Sequence, residues 1–129
     1  MEKIEIASEH DIVLARTAAR ELASEQAFSI MVKTRVATAV SELARNVLLH
    51  GGGGCVEYEL LNKNGRKGVR CVFIDDGPGI PNIENAMHDG FSTSSTLGHG
   101  LPGSRRLVDE FEIISEVGKG TRVEIIKWE

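Results

Sequence analysis

No glycine occurs in the first fifty residues of this 129-residue chain, and all fourteen fall between Gly51 and Gly120. Glycine inside a helix costs about 1 kcal/mol relative to alanine, and it is the default residue for sharp turns. The first third can therefore run as long unbroken elements, whereas the remainder must be short elements separated by tight bends. The run Gly51-Gly52-Gly53-Gly54 marks the boundary, because four consecutive glycines cannot be held helical cheaply.

Hydrophobic periodicity fills in the elements on either side. Residues 3–7 alternate polar and apolar, as in a short half-buried strand. Ser8, with Asp11 three residues on, resembles a helix-capping signal, and it opens a helix to about Ser24. Ile12, Leu14, Ala15, Ala18, Ala19 and Leu22 form the apolar face expected of that helix. A second helix is predicted over Ser29 to His50, with Val36, Val40, Leu43 and Val47 spaced i, i+4, i+7, i+11. A hairpin follows: Cys55–Leu61, a turn through Asn62-Lys63-Asn64-Gly65, then Val69–Ile74. Asn64-Gly65 tolerates positive φ. Asp75-Asp76-Gly77-Pro78-Gly79-Ile80 breaks the second strand. A short helix is expected at Ile83–His88, then a Ser/Thr/Gly loop over Phe91–Gly100, and Pro102 suits the first turn of a helix ending near Glu110. Phe111–Val117 and Arg122–Trp128 read as two strands joined by Gly118-Lys119-Gly120. The order βααββααββ implies a two-layer α/β sandwich, a mixed, mostly antiparallel sheet covered on one face by helices.

With 41% hydrophobic and 26% charged residues, the chain is expected to form a single domain over residues 1–129. No apolar run approaches the 18 or so residues of a membrane span. The N-terminus lacks a basic and apolar leader, so a cytoplasmic location is expected, with no membrane association. A net charge of −4 argues against a nucleic-acid partner. The basic cluster Lys63, Arg66, Lys67 and Arg70 reads as solvated hairpin charge. Cys55 and Cys71 lie in strand-like runs without ligand spacing, as buried free thiols do.

Four short patterns carry chemistry. Glu42 and Asn46, four apart, share one face of the second helix; Glu42 is a candidate proton acceptor and the Asn46 amide oxygen a candidate hard-cation ligand. Arg45 and His50 sit near the edge of that face, which is also what a solvated helix surface looks like. Asp75-x-Gly77-x-Gly79 places a carboxylate at a strand end beside two glycines, where it can accept from an exocyclic amine such as that of adenine. An acidic β-turn has the same sequence. Gly98-His99-Gly100-Leu101-Pro102-Gly103 runs into a helix and formally matches G-x-G-x-x-G. No hydrophobic strand precedes it, which rules out the dinucleotide fold, but its backbone N–H groups suit an anion, with Arg105 and Arg106 nearby. Gly118-x-Gly120-Thr121 is the fourth pattern, and most such sequences are plain hairpin turns.

Taken in order, these four patterns resemble the GHKL ATP-binding family, which includes histidine kinase catalytic domains, Hsp90, gyrase B and MutL. Ser41-Glu42-Leu43-Ala44-Arg45-Asn46, the stretch Asp89-Gly90-Phe91-Ser92-Thr93-Ser94 with Gly98–Gly103, and the terminal Ile126-Lys127-Trp128 are similar to the RsbT-type serine kinases of bacterial stress signalling. The resemblance implies a Bergerat (GHKL ATPase) fold, with ATP and Mg²⁺ as cofactors. It implies that Asn46 ligates Mg²⁺ and that Glu42 acts as general base on a substrate serine. Asp75 would read the adenine amine, over a floor shaped by Gly77 and Gly79. Gly98, His99, Gly100, Leu101 and Gly103 would wrap the phosphates, and Thr121 would sit near the adenine. His99 departs from the small residue usual at its position. The resemblance further implies phosphorylation of a STAS-domain scaffold protein and a downstream partner such as a phosphatase. The alternative from another class is a non-catalytic nucleotide-dependent switch that sequesters a sigma factor or other regulator. A conformational ATPase is disfavoured for want of a transducer domain, and a histidine kinase fragment for want of a phosphoacceptor helix before Met1.

Overall fold

A computed structural model describes residues 2–87 and 101–129. The chain forms β1 (Glu2–Ile6), α1 (Glu9–Glu25), α2 (Ile30–Leu49), β2 (Gly54–Lys63), β3 (Arg66–Asp75), α3 (Ile83–Ala86), α4 (Leu101–Leu107), β4 (Glu110–Glu116) and β5 (Gly120–Trp128). The strands form one sheet in the order β1-β2-β3-β5-β4. Its four ladders are all antiparallel, a stricter pattern than a mixed sheet. Two helices between β1 and β2 return the chain to the end it left, so β2 runs back along β1. β3 and β4 share a direction, but β5 lies between them, so no parallel ladder arises.

The β2–β3 strands are longer than their hydrophobic runs suggested. Only Asn64 (φ 55°) and Gly65 (φ 87°) form the turn, and pairing continues out to Lys63 and Arg66. Two residues at positive φ give the turn whose twist matches the strands it joins. The last helix stops at Leu107 rather than near Glu110, because Asp109 and Glu110 join the sheet end: the Asp109 carboxylate accepts from the Trp128 backbone N–H at 2.7 Å.

The helix termini follow the sequence with one inversion. Ser29 caps α2, its hydroxyl oxygen accepting from the Val32 N–H at 3.2 Å. Ser8 stands at the N-cap of α1 without a side-chain bond to the helix backbone. Asp11 instead reaches back and accepts from the Ala7 N–H at 2.8 Å, and that bond holds its carboxyl below the usual value.

One face of the sheet is covered by α1 and α2. Val36, Val40, Leu43 and Val47 of α2 are all buried, and they meet Val56, Tyr58, Val69, Cys71, Phe73, Val123 and Ile125 from the strands. The buried stripe of α1 is Ile12, Ala15, Ala19 and Ala23. Leu14, grouped by sequence with that face, is 44% exposed, since it lies off the i, i+3, i+7, i+11 line. The Tyr58 hydroxyl, buried in the core, donates to the Ala15 carbonyl at 2.6 Å. Both cysteines are free thiols, Cys55 half-buried and Cys71 buried, with burial pushing the Cys71 pKa up to about 12.

On the uncovered face, two members of the basic cluster noted in the sequence find partners. Arg70 pairs with Glu124 at 2.6 Å and with Glu59 at 3.7 Å, and Arg66 stacks on the Trp128 ring. Among the described residues, no helix is long and apolar enough to cross a membrane.

Candidate nucleotide site

The register decides where the glycine bends meet. Ile6 pairs with Gly54, Gly54 with Asp75, Asp75 with Thr121, and Gly120 with Glu116. Every inter-strand loop carrying Gly51–Gly53, Gly77, Gly79 or Gly118 therefore emerges at one end of the sheet. α2 ends there too, because it must deliver the chain to the start of β2.

At that end lies a cavity of about 320 Å³, within the size range of small-molecule pockets. Leu43, Asn46, Val47 and His50 form one wall from α2. Phe73 and Asp75 come from β3, Thr121 and Val123 from β5, and Leu101 from the start of α4. Pro78, Gly79, Ile80 and Pro81 close the remaining side. The lining is mostly apolar with a few polar groups, as a flat heteroaromatic ring requires. Gly79 has φ +78°, and the space its missing side chain leaves is filled by the Glu116–Val117 backbone. The loop is pinned to the β4–β5 turn by Gly118 N–H donating to the Pro78 carbonyl (2.9 Å) and Ile80 N–H to the Ser115 hydroxyl (2.8 Å). Ser115 in turn shares a hydrogen bond with the Thr121 hydroxyl at 2.7 Å.

Asp75 is the electrostatic centre. Burial raises its pKa, while the backbone N–H groups of Gly77 and Thr121 and the nearby His50 pull it back; the Gly77 N–H reaches Oδ1 at 2.9 Å. His50 is held below its ordinary value by burial, against the opposite pull of Asp75. An imidazole that stays neutral near pH 7 leaves Asp75 as the charged acceptor in this wall.

The expected site residues divide clearly. Asn46, Asp75, Gly79, Leu101 and Thr121 line the cavity together. Gly77 lies behind Asp75 and serves it through the backbone. Glu42 is one turn before Asn46, outside the lining, and its carboxylate accepts from Arg45 at 3.3 Å. Gly103 sits within α4 with its Cβ position open, away from the wall. Gly98, His99 and Gly100, and the loop expected over 91–100, lie outside the described residues. His50 was readable as a site residue from its i+4 spacing to Asn46, and Ile80, Pro81 and Phe73 carried no signal beyond hydrophobicity.

The family model for histidine kinase-, DNA gyrase B- and HSP90-like ATPases matches residues 31–129. The serine/threonine-protein kinase RsbT of Bacillus subtilis is 47% identical over 97% of this chain and 94% of its own length. The chain belongs to the GHKL ATPase family, in its RsbT-type branch. An anti-sigma F factor of a Thermoanaerobacter species is 32% identical over 88% of this chain and 82% of that protein. Among solved structures, the histidine kinase domain of a blue-light activated kinase from Erythrobacter litoralis matches with a TM-score of 0.57 at 21% identity, covering 92% of this chain and 59% of that one. The catalytic domain of the histidine kinase ThkA matches at 0.54 and 16% identity, with 98% and 95% covered. These two share the fold, an antiparallel sheet with helices.

Proposed function

We propose that this chain is a serine/threonine protein kinase that transfers the γ-phosphate of ATP to a STAS-domain protein in a partner-switching pathway, in the cytoplasm. The observation that carries the reading is the meeting of Asn46, Asp75 and Thr121 in one cavity, in a chain 47% identical along nearly its whole length to a protein kinase.

Each residue has a task set by its chemistry. Asp75 accepts a hydrogen bond from the adenine amine, and Gly79, whose missing side chain makes room for the Glu116–Val117 backbone, holds the loop that forms the floor beside the ring. The Asn46 amide oxygen fits Mg²⁺, a hard cation that takes few protein ligands and completes its shell with phosphate oxygens and water. No cluster of three acidic, His or Cys side chains competes for a metal among the described residues. Bound Mg²⁺ would neutralise phosphate charge, which is most of what phosphoryl transfer asks of a protein. Glu42, on the solvent side of Asn46, takes the proton from the incoming serine or threonine hydroxyl. Its place outside the cavity suits that task, since the hydroxyl arrives on another protein. Leu101 anchors the start of α4 in the core, and Gly98, His99, Gly100 and Gly103 would follow the phosphates from that anchor. Release from the STAS-domain protein would free the chain for a second partner such as a phosphatase.

The anti-sigma F factor relatives favour the alternative of a nucleotide-dependent regulator that sequesters a sigma factor. Incubation with γ-labelled ATP, Mg²⁺ and a co-purified STAS-domain protein separates the two. Label on a mapped serine or threonine supports the kinase, and nucleotide binding without transfer supports the regulator.

A further inference from the structure

The run Gly51–Gly54 terminates α2, yet Gly51 is not needed for that. His50 is the C-cap, in right-handed helical conformation, and the first glycine at positive φ is Gly52. Gly51 itself has a φ open to any residue. A side chain there is excluded for another reason: a Cβ would lie 2.5 Å from the Asp75 Cβ and 2.6 Å from Oδ2, with Cγ nearer still. From the other side, a Cβ on Gly77 would meet the Gly51 Cα at 2.6 Å and its carbonyl oxygen at 2.8 Å. The Asp75 carboxylate is thus wedged, with Gly51 against its side chain and the Gly77 N–H bonded to Oδ1. The Gly51 N–H also caps α2 by donating to the Asn46 carbonyl at 3.1 Å. One residue therefore touches both the residue proposed to hold the metal and the residue proposed to read the base.

We infer that Gly51 is a positioning residue for nucleotide recognition: its bare Cα sets the Asp75 carboxylate where it accepts from a six-amino purine, so adenine selectivity depends on the absence of a side chain at position 51. The inference rests on the assignment of Asp75 as the base-reading group. A methyl at position 51 suits the local backbone conformation but meets the Asp75 Cβ as well as its carboxylate. Rotation of the carboxylate cannot relieve the Cβ contact, so Asp75 must shift as a whole and its carboxylate moves with it.

The test compares Kd for Mg·ATP and Mg·ITP by calorimetry in wild type, Gly51→Ala, Asp75→Asn and the double variant. ITP carries a carbonyl where ATP carries the amine. Gly51→Ala is expected to weaken ATP binding at least about tenfold, as loss of one hydrogen bond to a charged acceptor does. ITP binding should move far less, and the double variant should lose no more than Asp75→Asn alone. A wild-type ATP/ITP ratio in Gly51→Ala, or losses that multiply in the double variant, overturns the inference. An unchanged ratio in Asp75→Asn overturns the base-reading assignment and the inference with it. Thermal melts of Gly51→Ala and Gly51→Ala/Asp75→Gly give a readout without ligand. Recovery of Tm in the second variant is expected from the wedge, and a further fall contradicts it.

Discussion

Asp75 sits in a site that favours its neutral form, yet the proposed role needs the charged one. Its pKa lies above the ordinary carboxylate value because burial outweighs the two N–H bonds. The native state therefore binds a proton more readily than the unfolded chain does, and stability falls as pH rises through that interval. Asp75→Asn is expected to raise Tm near neutral pH while weakening ATP binding about tenfold by calorimetry. An unchanged Kd removes Asp75 from base recognition. Wild-type ATP affinity should decline on acidification, with a midpoint above 3.8, the reference value for an aspartate, and that decline should be absent in Asp75→Asn. The carboxylate, the asparagine and the threonine of the site were legible in the sequence, because each stands beside glycines or one helical turn from a partner. The steric role of Gly51 was not legible. It depends on Gly54 pairing with Asp75 across β2 and β3, a contact between residues twenty-one apart that no local pattern records.

At the scale of elements, the α1–α2 connection carries a strain that substitution can relieve. Gln26, Ala27 and Phe28 close α1 with Phe28 N–H donating to the Ala23 carbonyl and Ala27 N–H to the Ser24 carbonyl, both at 3.0 Å. That pattern places position 27 in the left-handed region, where glycine is usual, and Ala27 has φ 61°. The left-handed cost of roughly 1–2 kcal/mol for an L-residue exceeds the roughly 0.4–1 kcal/mol of extra unfolded freedom that glycine brings. Ala27→Gly should thus stabilise the chain by about 0.5–1 kcal/mol in urea unfolding, and a loss of stability contradicts the cap geometry. The motif was hidden in the sequence because a glycine there would have announced it and an alanine did not. By contrast α2 was legible almost to the residue, since its apolar spacing, Ser29 cap and glycine stop all agree. The strand ends were less so: Lys63, Arg66 and Lys67 are polar, and they are held in register by the two-residue turn at Asn64-Gly65 and by the end of the chain, where Glu129 bonds the Lys67 backbone.

Across the whole molecule, antiparallel pairing gathers the glycine bends and the end of α2 at one edge of the sheet, away from the β2–β3 turn and the Trp128 end. Substitutions at buried residues remote from that edge, such as Tyr58, should change stability and leave the cavity lining in place. Ligand binding still couples the cavity to stability, because a nucleotide that binds only the folded state stabilises it. Mg·ATP at a hundred times its Kd should add about 2.7 kcal/mol, read as a rise in Tm, and no rise would mean that the cavity does not take the nucleotide. Whether the site also performs chemistry rests on Glu42 and Asn46, four residues apart on α2 with only Asn46 in the cavity wall. The most direct measurement is transfer of label from γ-labelled Mg·ATP to the proposed STAS-domain substrate by wild type, Glu42→Ala and Asn46→Ala, with ATP affinity measured alongside. The account predicts transfer by wild type, none above background by either variant, and retained ATP binding by Glu42→Ala. Transfer at the wild-type rate by both variants would contradict it.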